Sequence, residues 1–241
     1  MSNAVPDFSQ RSVALEWMDD LSSSGDIIVQ TLKELDTINR LLGGNSISLS
    51  GLKKLLSRYP EKRKEKIVIA DIGCGGGDIM KLLAGWGRKN NLQLELIGID
   101  ANPHVLEYAR ENTKDFPEIR FEQIDIYSKA FSGLKFDIIH TSLFTHHFPE
   151  SELIAFYSQW VGQVNMGIIN NDLHRHWFAY HSIDWLTRLF SRSPMVKYDA
   201  RLSVLRSFLK PELEDILYKA KIQSYDIQWK WAFRWELVIY A

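Results

Sequence analysis

The sequence predicts an α/β fold in which a seven-stranded, mainly parallel sheet lies between two helical layers, an αβα arrangement that ends in an antiparallel hairpin. Three observations support this prediction. Short apolar segments typical of buried parallel strands alternate with helix-like stretches between residues 66 and 172. A glycine-rich turn follows the first of these segments, and two β-like runs with a very short connection end the sequence. The alternation indicates βαβ units with helices on both faces of the sheet.

The individual elements follow in chain order. Residues from about 8 to 58 carry apolar positions at helical spacing that break at Gly43 and Gly44, so we expect an N-terminal helical lid at residues 1–60. The main domain is predicted at 61–241, with helices beginning near Ile79, Pro103 and Pro149. An aromatic-rich insertion without a clear strand is expected at about 173–209. The predicted strands are 67–72, 94–99, 119–124, 136–141, 166–170, 222–231 and 234–241.

The length, composition and charge of the chain argue against several functional classes. The chain has 241 residues, 45% of them hydrophobic, which is enough for one sizeable core. Its 29 basic and 30 acidic residues nearly cancel, which argues against nucleic acid as a partner. No apolar run approaches the roughly 20 residues that insert into a membrane, and the N-terminus does not resemble a signal peptide, so we expect a cytoplasmic protein. Cys74 is the single cysteine, and we expect neither a disulfide nor a metal.

The glycine-rich turn, DIGCGGG at residues 71–77, lies between the first predicted strand and the next helix. Glycines let the chain turn with positive φ and approach a ligand closely at the carboxyl edge of the sheet. Dehydrogenases have G-x-G-x-x-G at the same point of the fold, so the glycines alone are also compatible with a dinucleotide ligand. Asp71 distinguishes the two cases, because its carboxylate would repel a pyrophosphate but would accept hydrogen bonds from an ammonium group.

Two more aspartates follow successive strands. Asp100 ends the second strand, where it can accept hydrogen bonds from the ribose hydroxyls of an adenosine. Asp125 follows the third strand and can accept from an adenine amino group, with Ile126 packing on the ring. Each aspartate alone is equally well explained as a turn or helix-cap residue. All three together favour an adenosine ligand that carries an amine.

Residues 71–77, Asp100 and Asp125 together resemble the cofactor motifs of the class I, Rossmann-like S-adenosylmethionine-dependent methyltransferases. The resemblance covers roughly residues 66–172 and the terminal hairpin. Residues 136–140 and 145–148 resemble the fourth-strand region of small-molecule members. The resemblance implies S-adenosylmethionine as cofactor and S-adenosylhomocysteine as product. The implied cofactor-binding residues are Asp71, Gly73, Cys74, Gly75, Gly77, Asp100, Ala101, Asp125 and Ile126.

Three histidines are candidates for removing a proton from the methyl acceptor. His146 and His147 follow the fourth strand, and His174 follows the fifth. Histidine titrates in the range needed to deprotonate a phenol or an enol. The alternative is that these residues serve packing and hydrogen bonding only.

The acceptor site is predicted after the fifth strand. Asp172, Arg175 and Trp177 are the candidate acceptor-binding residues, and the aromatic side chains of the insertion suit a flat or apolar small molecule. The alternatives are that Asp172 caps a helix beginning near Leu173 and that the aromatic residues are core.

The N-terminal segments 11–19 and 39–44 resemble the leader of a bacterial methyltransferase subgroup associated with type III polyketide synthases. This resemblance motivates a phenolic or pyrone-like acceptor, methylated on oxygen or, as the next choice, on carbon. The rival functions are an NAD(P)-dependent oxidoreductase and a non-catalytic methyltransferase-like binding protein. The sequence leaves the oligomeric state open.

Overall fold

The structure is a computed structural model and describes residues 6–241. Its sheet has seven strands in the order β3-β2-β1-β4-β5-β7-β6, in which β7 runs antiparallel to β5 and β6. This architecture confirms the predicted fold class. The strands are β1 (Lys66–Ile72), β2 (Gln93–Asp100), β3 (Ile119–Gln123), β4 (Phe136–Ser142), β5 (Val164–Leu173), β6 (Tyr225–Lys230) and β7 (Arg234–Tyr240).

Helices cover both faces of this sheet. In chain order they are α1 (Asp26–Leu41), α2 (Gly44–Arg58), α3 (Asp78–Lys89), α4 (Pro103–Asn112), α5 (Lys129–Ser132), α6 (Glu150–Val161), α7 (Trp177–Phe190), α8 (Pro194–Arg206) and α9 (Lys210–Lys219). None of the helices within residues 6–241 combines the length and apolarity that a bilayer crossing requires.

Two apolar cores lie on opposite faces of the sheet and define the three layers. Leu52 of α2, Met80 of α3 and Leu106 of α4 belong to one core. Trp160 of α6 and Leu213 of α9 belong to the other. The central strands β1 and β4 are buried on both faces, which explains the continuous apolar run at residues 67–70 of β1.

The first part of the predicted helical lid is not helical. Residues 6–25, which we call the N-terminal arm, form an irregular segment with one 3-10 turn at Trp17–Asp19. The backbone of the arm forms hydrogen bonds with side chains of other elements. For example, the amides of Trp17 and Met18 donate to Asp199 of α8. This removes the need for a helix there. Residues 1–5 of the predicted lid lie outside the described residues.

The segments outside the sheet layers gather over the carboxyl ends of the parallel strands. Helices α7 and α8 occupy the predicted insertion, and α8 packs on both α1 and the arm. The hydroxyls of Thr31 in α1 and Ser193 before α8 lie 2.8 Å apart. We call the arm, α1, α7 and α8 together the cap. Helix α2, although inside the interval 1–60, packs directly on the sheet instead.

Candidate cofactor and acceptor site

The glycine-rich turn connects β1 to α3 in a conformation that requires glycine. Gly73 has φ +67°, and a Cβ there would lie 2.1 Å from the ring of Phe144. Gly75 has φ +51°, and a Cβ there would meet only Leu32 of α1, at 3.6 Å. The turn therefore packs tightly on one side and faces the space beneath the cap on the other.

Asp71 is held in place by a histidine that the sequence reasoning gave no role. In the sheet register Asp71 pairs with His140 of β4, and Asp71 Oδ1 lies 2.6 Å from His140 Nδ1. His140 Nε2 in turn lies 2.8 Å from the hydroxyl of Ser48 in α2. This chain of contacts orients the Asp71 carboxylate at the mouth of the turn.

Asp100 and Asp125 lie at the ends of neighbouring strands at the same sheet edge. The amide of Asn102 donates to Asp100 Oδ1 (2.9 Å). Burial raises the pKa of Asp100 to about 6, although backbone amides that include those of Asn102 and Gly75 oppose the rise. Asp125 is exposed, accepts from the amide of Tyr127, and is followed by the buried Ile126.

A cavity of about 360 Å³ extends from this turn to the underside of the cap. Every part of the cap contributes to its wall, as do the turn after β4 and the connection between β6 and β7. The wall includes Asp71, Gly73, Cys74, Gly75, Met18, Leu35, Phe178, Ile183, Leu186 and Phe233, and at its polar end Glu16, His146, His147 and Asp199. The size is that of a pocket for a small ligand.

His146 and Asp172 form a buried pair at the polar end. His146 Nδ1 lies 2.7 Å from Asp172 Oδ1, and the amide of His146 donates to the other oxygen (3.1 Å). The hydroxyl of Thr145 donates to that same oxygen (2.7 Å). Burial opposes charge on the ring, but the Asp172 and Glu16 carboxylates outweigh it and raise the pKa of His146 to about 9.

His147 has a carboxylate partner of its own from the arm. His147 Nδ1 lies 2.5 Å from Asp19 Oδ1, and Arg206 of α8 contacts the second Asp19 oxygen. Arg206 also donates to the carbonyls of His146 and His147. The arm, α8 and the turn after β4 therefore meet at one guanidinium.

Glu16 contributes a carboxylate to the cavity wall beside the two histidines. Its Oε2 accepts from the hydroxyl of Ser203 in α8 (2.8 Å). Its Oε1 lies 3.5 Å from His146 Nε2, and within residues 6–241 neither of these two buried atoms has a hydrogen-bond partner. A side-chain oxygen of Glu16 and one ring nitrogen of each of His146 and His147 all lie within 4.8 Å of one another.

Other candidate residues lie away from the cavity wall. His174 accepts a hydrogen bond from the indole of Trp229 (3.2 Å), and burial lowers the pKa of His174 to about 4. Arg175 is fully buried against Glu212 and the Ser207 carbonyl. Trp177 is 57% exposed at the start of α7. The structure thus brings His146, His147 and Asp172 together and leaves His174, Arg175 and Trp177 apart from them.

The suggested helix cap at Asp172 is wrong. Strand β5 continues to Leu173 because it pairs with β7 as far as Arg234, so Asp172 lies within the sheet. Helix α7 begins only at Trp177, and the side chain of His176 caps it.

Sequence reasoning assigned no role to four residues that shape the site, Glu16, Asp19, His140 and Arg206. A histidine within a buried strand indicates that a buried polar partner is close by, and His140 of β4 is such a histidine. Segment 11–19 resembles a methyltransferase leader, but Glu16 and Asp19 received no role because their partners are far away in the sequence.

Comparison with known proteins agrees with this geometry. A family model described as a methyltransferase domain matches residues 63–185. The carboxy-S-adenosyl-L-methionine synthase of Helicobacter pylori strain HPAG1 is 35% identical over 71 residues, which are 30% of this chain and 28% of that protein. The match therefore spans less than a third of the relative's length.

Two solved structures share the fold. A candidate O-methyltransferase from Nostoc punctiforme PCC 73102 has a TM-score of 0.62 at 16% identity, covering 96% of this chain and 64% of that one. A SAM-dependent methyltransferase from Aquifex aeolicus has a TM-score of 0.59 at 15% identity, covering 88% and 97%. The matched family region contains the glycine-rich turn, both following strand-end aspartates and β5, and it covers half of the chain. The chain therefore belongs to the methyltransferase-domain family and has the class I fold of the S-adenosylmethionine-dependent methyltransferases.

Proposed function

We propose that the protein transfers the methyl group of S-adenosylmethionine to an oxygen atom of a small aromatic or apolar acceptor. One observation carries the proposal: a single cavity joins the glycine-rich turn to a buried polar cluster through a mostly apolar wall. A cavity of about 360 Å³ suits a small molecule rather than a polymer.

The cofactor end of the cavity supports S-adenosylmethionine as the methyl donor. Asp71 can accept hydrogen bonds from the ammonium group of the methionine part, and Gly73 and Gly75 leave room for its backbone. Asp100 and Asp125 follow at the sheet edge for the ribose and the adenine. The product would be S-adenosylhomocysteine.

The acceptor end supports a substrate with an apolar body and one hydroxyl. Leu35, Phe178 and Leu186 offer apolar contacts, while Glu16 and His146 face the same space with unpaired polar atoms. A hydroxyl bound to these atoms would be oriented for in-line attack on the methyl carbon. A phenolic or pyrone-like compound fits this description, and methylation of a ring carbon is the next candidate.

Calorimetry with S-adenosylhomocysteine tests the cofactor assignment. We expect the unmodified protein to bind at micromolar concentration, and Asp71→Ala and Asp100→Ala to weaken binding at least about tenfold, since each removes a charge-assisted hydrogen bond. Asp215→Ala, an exposed position on α9, is the matched control and should bind normally. Binding of NADPH in place of S-adenosylhomocysteine would instead support an oxidoreductase.

A panel of phenols and alkylpyrones with isotope-labelled S-adenosylmethionine tests the acceptor class. We expect labelled methyl ethers, identified by mass spectrometry and NMR. A carbon-bound label would replace oxygen by carbon as the target atom. Normal cofactor binding without transfer to any oxygen or carbon acceptor in the panel would contradict this acceptor class.

A further inference from the structure

Three potential metal ligands converge at the acceptor end of the cavity, where Glu16 and His146 are buried and His147 is partly buried. We propose that Glu16, His146 and His147 bind one divalent transition-metal ion, with Zn²⁺ as the best fit, and that its open coordination position faces the cavity. This goes beyond methyl transfer itself, which requires no metal. It also departs from the sequence-based expectation of no metal, which considered cysteine ligands.

Within the part of the chain that the structure describes, two buried atoms of the cluster face each other without hydrogen-bond partners, one on His146 and one on Glu16. The Nδ1 of His146 lies 2.7 Å from Asp172, and an ionised carboxylate can only accept, so Nδ1 carries the hydrogen. The Nε2 of His146 faces the Oε1 of Glu16, and within residues 6–241 neither of these two atoms has a hydrogen-bond partner. A buried polar atom without a partner is costly, and a metal ion bound between these two atoms would satisfy both.

The separation of these two atoms favours a metal ion over a shared proton. A charge-assisted N–H···O bond would bring them to about 2.7–2.9 Å. Two ligand atoms at about 2.0–2.1 Å from a tetrahedral Zn²⁺ are about 3.3 Å apart. The observed separation is 3.5 Å, and a ring nitrogen of His147 belongs to the same cluster, within 4.8 Å of the other two ligand atoms.

Both histidines have the outer partners that metal-bound histidines usually have. Asp172 holds the Nδ1 of His146, and Asp19 holds the Nδ1 of His147, so each Nε2 is left as the ligand atom. A histidine ligand commonly donates its other ring N–H to a carboxylate, which fixes the tautomer and the ring orientation. Ser203 likewise holds one oxygen of Glu16 and leaves the other available.

The local charge also favours a divalent cation. Four carboxylates lie at this polar end, those of Glu16, Asp19, Asp172 and Asp199. Arg206 is within 4 Å of Glu16 and Asp19, and among residues 6–241 no lysine or arginine comes that close to Asp172. Two imidazoles and one carboxylate form a donor set that suits Zn²⁺ and other first-row transition metals.

The ion would give the acceptor end its chemistry. Three protein ligands leave a fourth position for the acceptor's oxygen, and coordination lowers the pKa of that hydroxyl so that it loses its proton to solvent. The oxygen then attacks the methyl carbon, the carbon–sulfur bond breaks, and sulfur keeps the electron pair. The products are the methyl ether, S-adenosylhomocysteine and one proton.

Metal titration of the untagged, chelator-treated protein tests the site. We expect one equivalent of Zn²⁺ per chain by elemental analysis after dialysis, and a visible absorption spectrum of four- or five-coordinate geometry with Co²⁺. Glu16→Gln, His146→Ala and His147→Ala should each weaken Zn²⁺ binding at least about 100-fold, and Asp19→Asn and Asp172→Asn about 10–100-fold. His174→Ala, which removes a histidine outside the cavity, is the matched control.

Calorimetry with S-adenosylhomocysteine on the same samples separates this proposal from the proposed function. Normal cofactor binding shows that a variant is folded, because none of these substitutions lies in the glycine-rich turn. An unmodified protein that binds S-adenosylhomocysteine but retains no stoichiometric Zn²⁺ or Co²⁺ would overturn the metal site alone. Stoichiometric binding that none of the three ligand substitutions weakens would overturn it as well.

Discussion

Asp100 is a site residue whose surroundings shift its pKa and so make its charge depend on pH. It ends β2, is surrounded by backbone amides of Gly75, Ala101 and Asn102, and faces the negative charge of Asp71. Burial is the largest influence and raises its pKa to about 6. Since this pKa exceeds that of the unfolded chain, the contribution of Asp100 to the free energy of unfolding is largest below pH 4 and falls as pH rises through 6.

We therefore expect the affinity for S-adenosylhomocysteine to depend on pH. Ribose hydroxyls donate to the ionised carboxylate, so lowering the pH from 7.5 to 5 should weaken binding about tenfold. Calorimetry across this range measures the effect. Asp100→Asn should bind weakly with little pH dependence, and an unchanged affinity of the unmodified protein at pH 5 would contradict the assignment.

The site residues also differ in how far sequence could reveal them. Asp71 and Asp100 follow short apolar runs within 30 positions of each other, so strand and turn patterns locate them at one sheet edge. Glu16 meets Ser203 across 187 positions, and Asp19 meets His147 across 128. Such contacts depend on how the cap packs, which no local propensity encodes.

Among the elements, α2 shows how closely a helix can approach this sheet. Gly51 of α2 lies against Ile169 of β5, where a Cβ would come within 2.6 Å of Cγ2. Ile169 is buried and β-branched, so it has little freedom to move aside. The absence of a side chain at Gly51 sets the distance between helix and sheet.

Gly51→Ala should destabilise the protein in spite of its better helix propensity. Overpacking costs about 1–3 kcal/mol, which exceeds or offsets the roughly 1 kcal/mol that alanine gains in a helix. Gly85→Ala in α3 is the matched control, because its Cβ would have no atom within 4 Å, and it should be stabilising. Urea unfolding measures both, and equal midpoints for the two variants would contradict the packing argument.

The elements themselves were predictable to different degrees. Strand β1 follows from its continuous apolar run at residues 67–70, because burial on both faces leaves little other choice of residue. The irregular structure of the arm could not be predicted in this way, because its backbone groups form hydrogen bonds with Asp199 and Arg206 of α8 instead of with one another in a helix. A helix assignment for residues 8–25 assumes local hydrogen bonding that the cap replaces.

Across the whole molecule, Arg206 ties the cap to the sheet domain. Its guanidinium contacts the Ala14 carbonyl, Asp19, and the carbonyls of His146 and His147. A single lysine nitrogen cannot reach all of these acceptors. For these contacts, the planar arrangement of N–H donors in the guanidinium therefore matters more than its positive charge.

Arg206→Lys should loosen the arm without disturbing the cofactor end. Leaving buried carbonyls without donors costs about 1–3 kcal/mol each, so we expect a lower melting temperature and faster hydrogen exchange in residues 12–20. The affinity for S-adenosylhomocysteine should stay within about threefold. Arg192→Lys, at an exposed position before α8, is the control, and arm exchange as slow as in the unmodified protein would contradict this role.

The arm has a further consequence during synthesis of the chain on the ribosome. Glu16 and Asp19 emerge early, but Ser203 and Arg206 follow almost 190 residues later. At a synthesis rate of roughly 5–20 residues per second, on the order of ten seconds or more pass between the synthesis of the arm and that of these partners. Strands β1 to β5 are thus synthesised before Ser203 and Arg206 can hold Glu16 and Asp19 beside the two histidines, so the polar end of the cavity can form only after the parallel strands of the sheet.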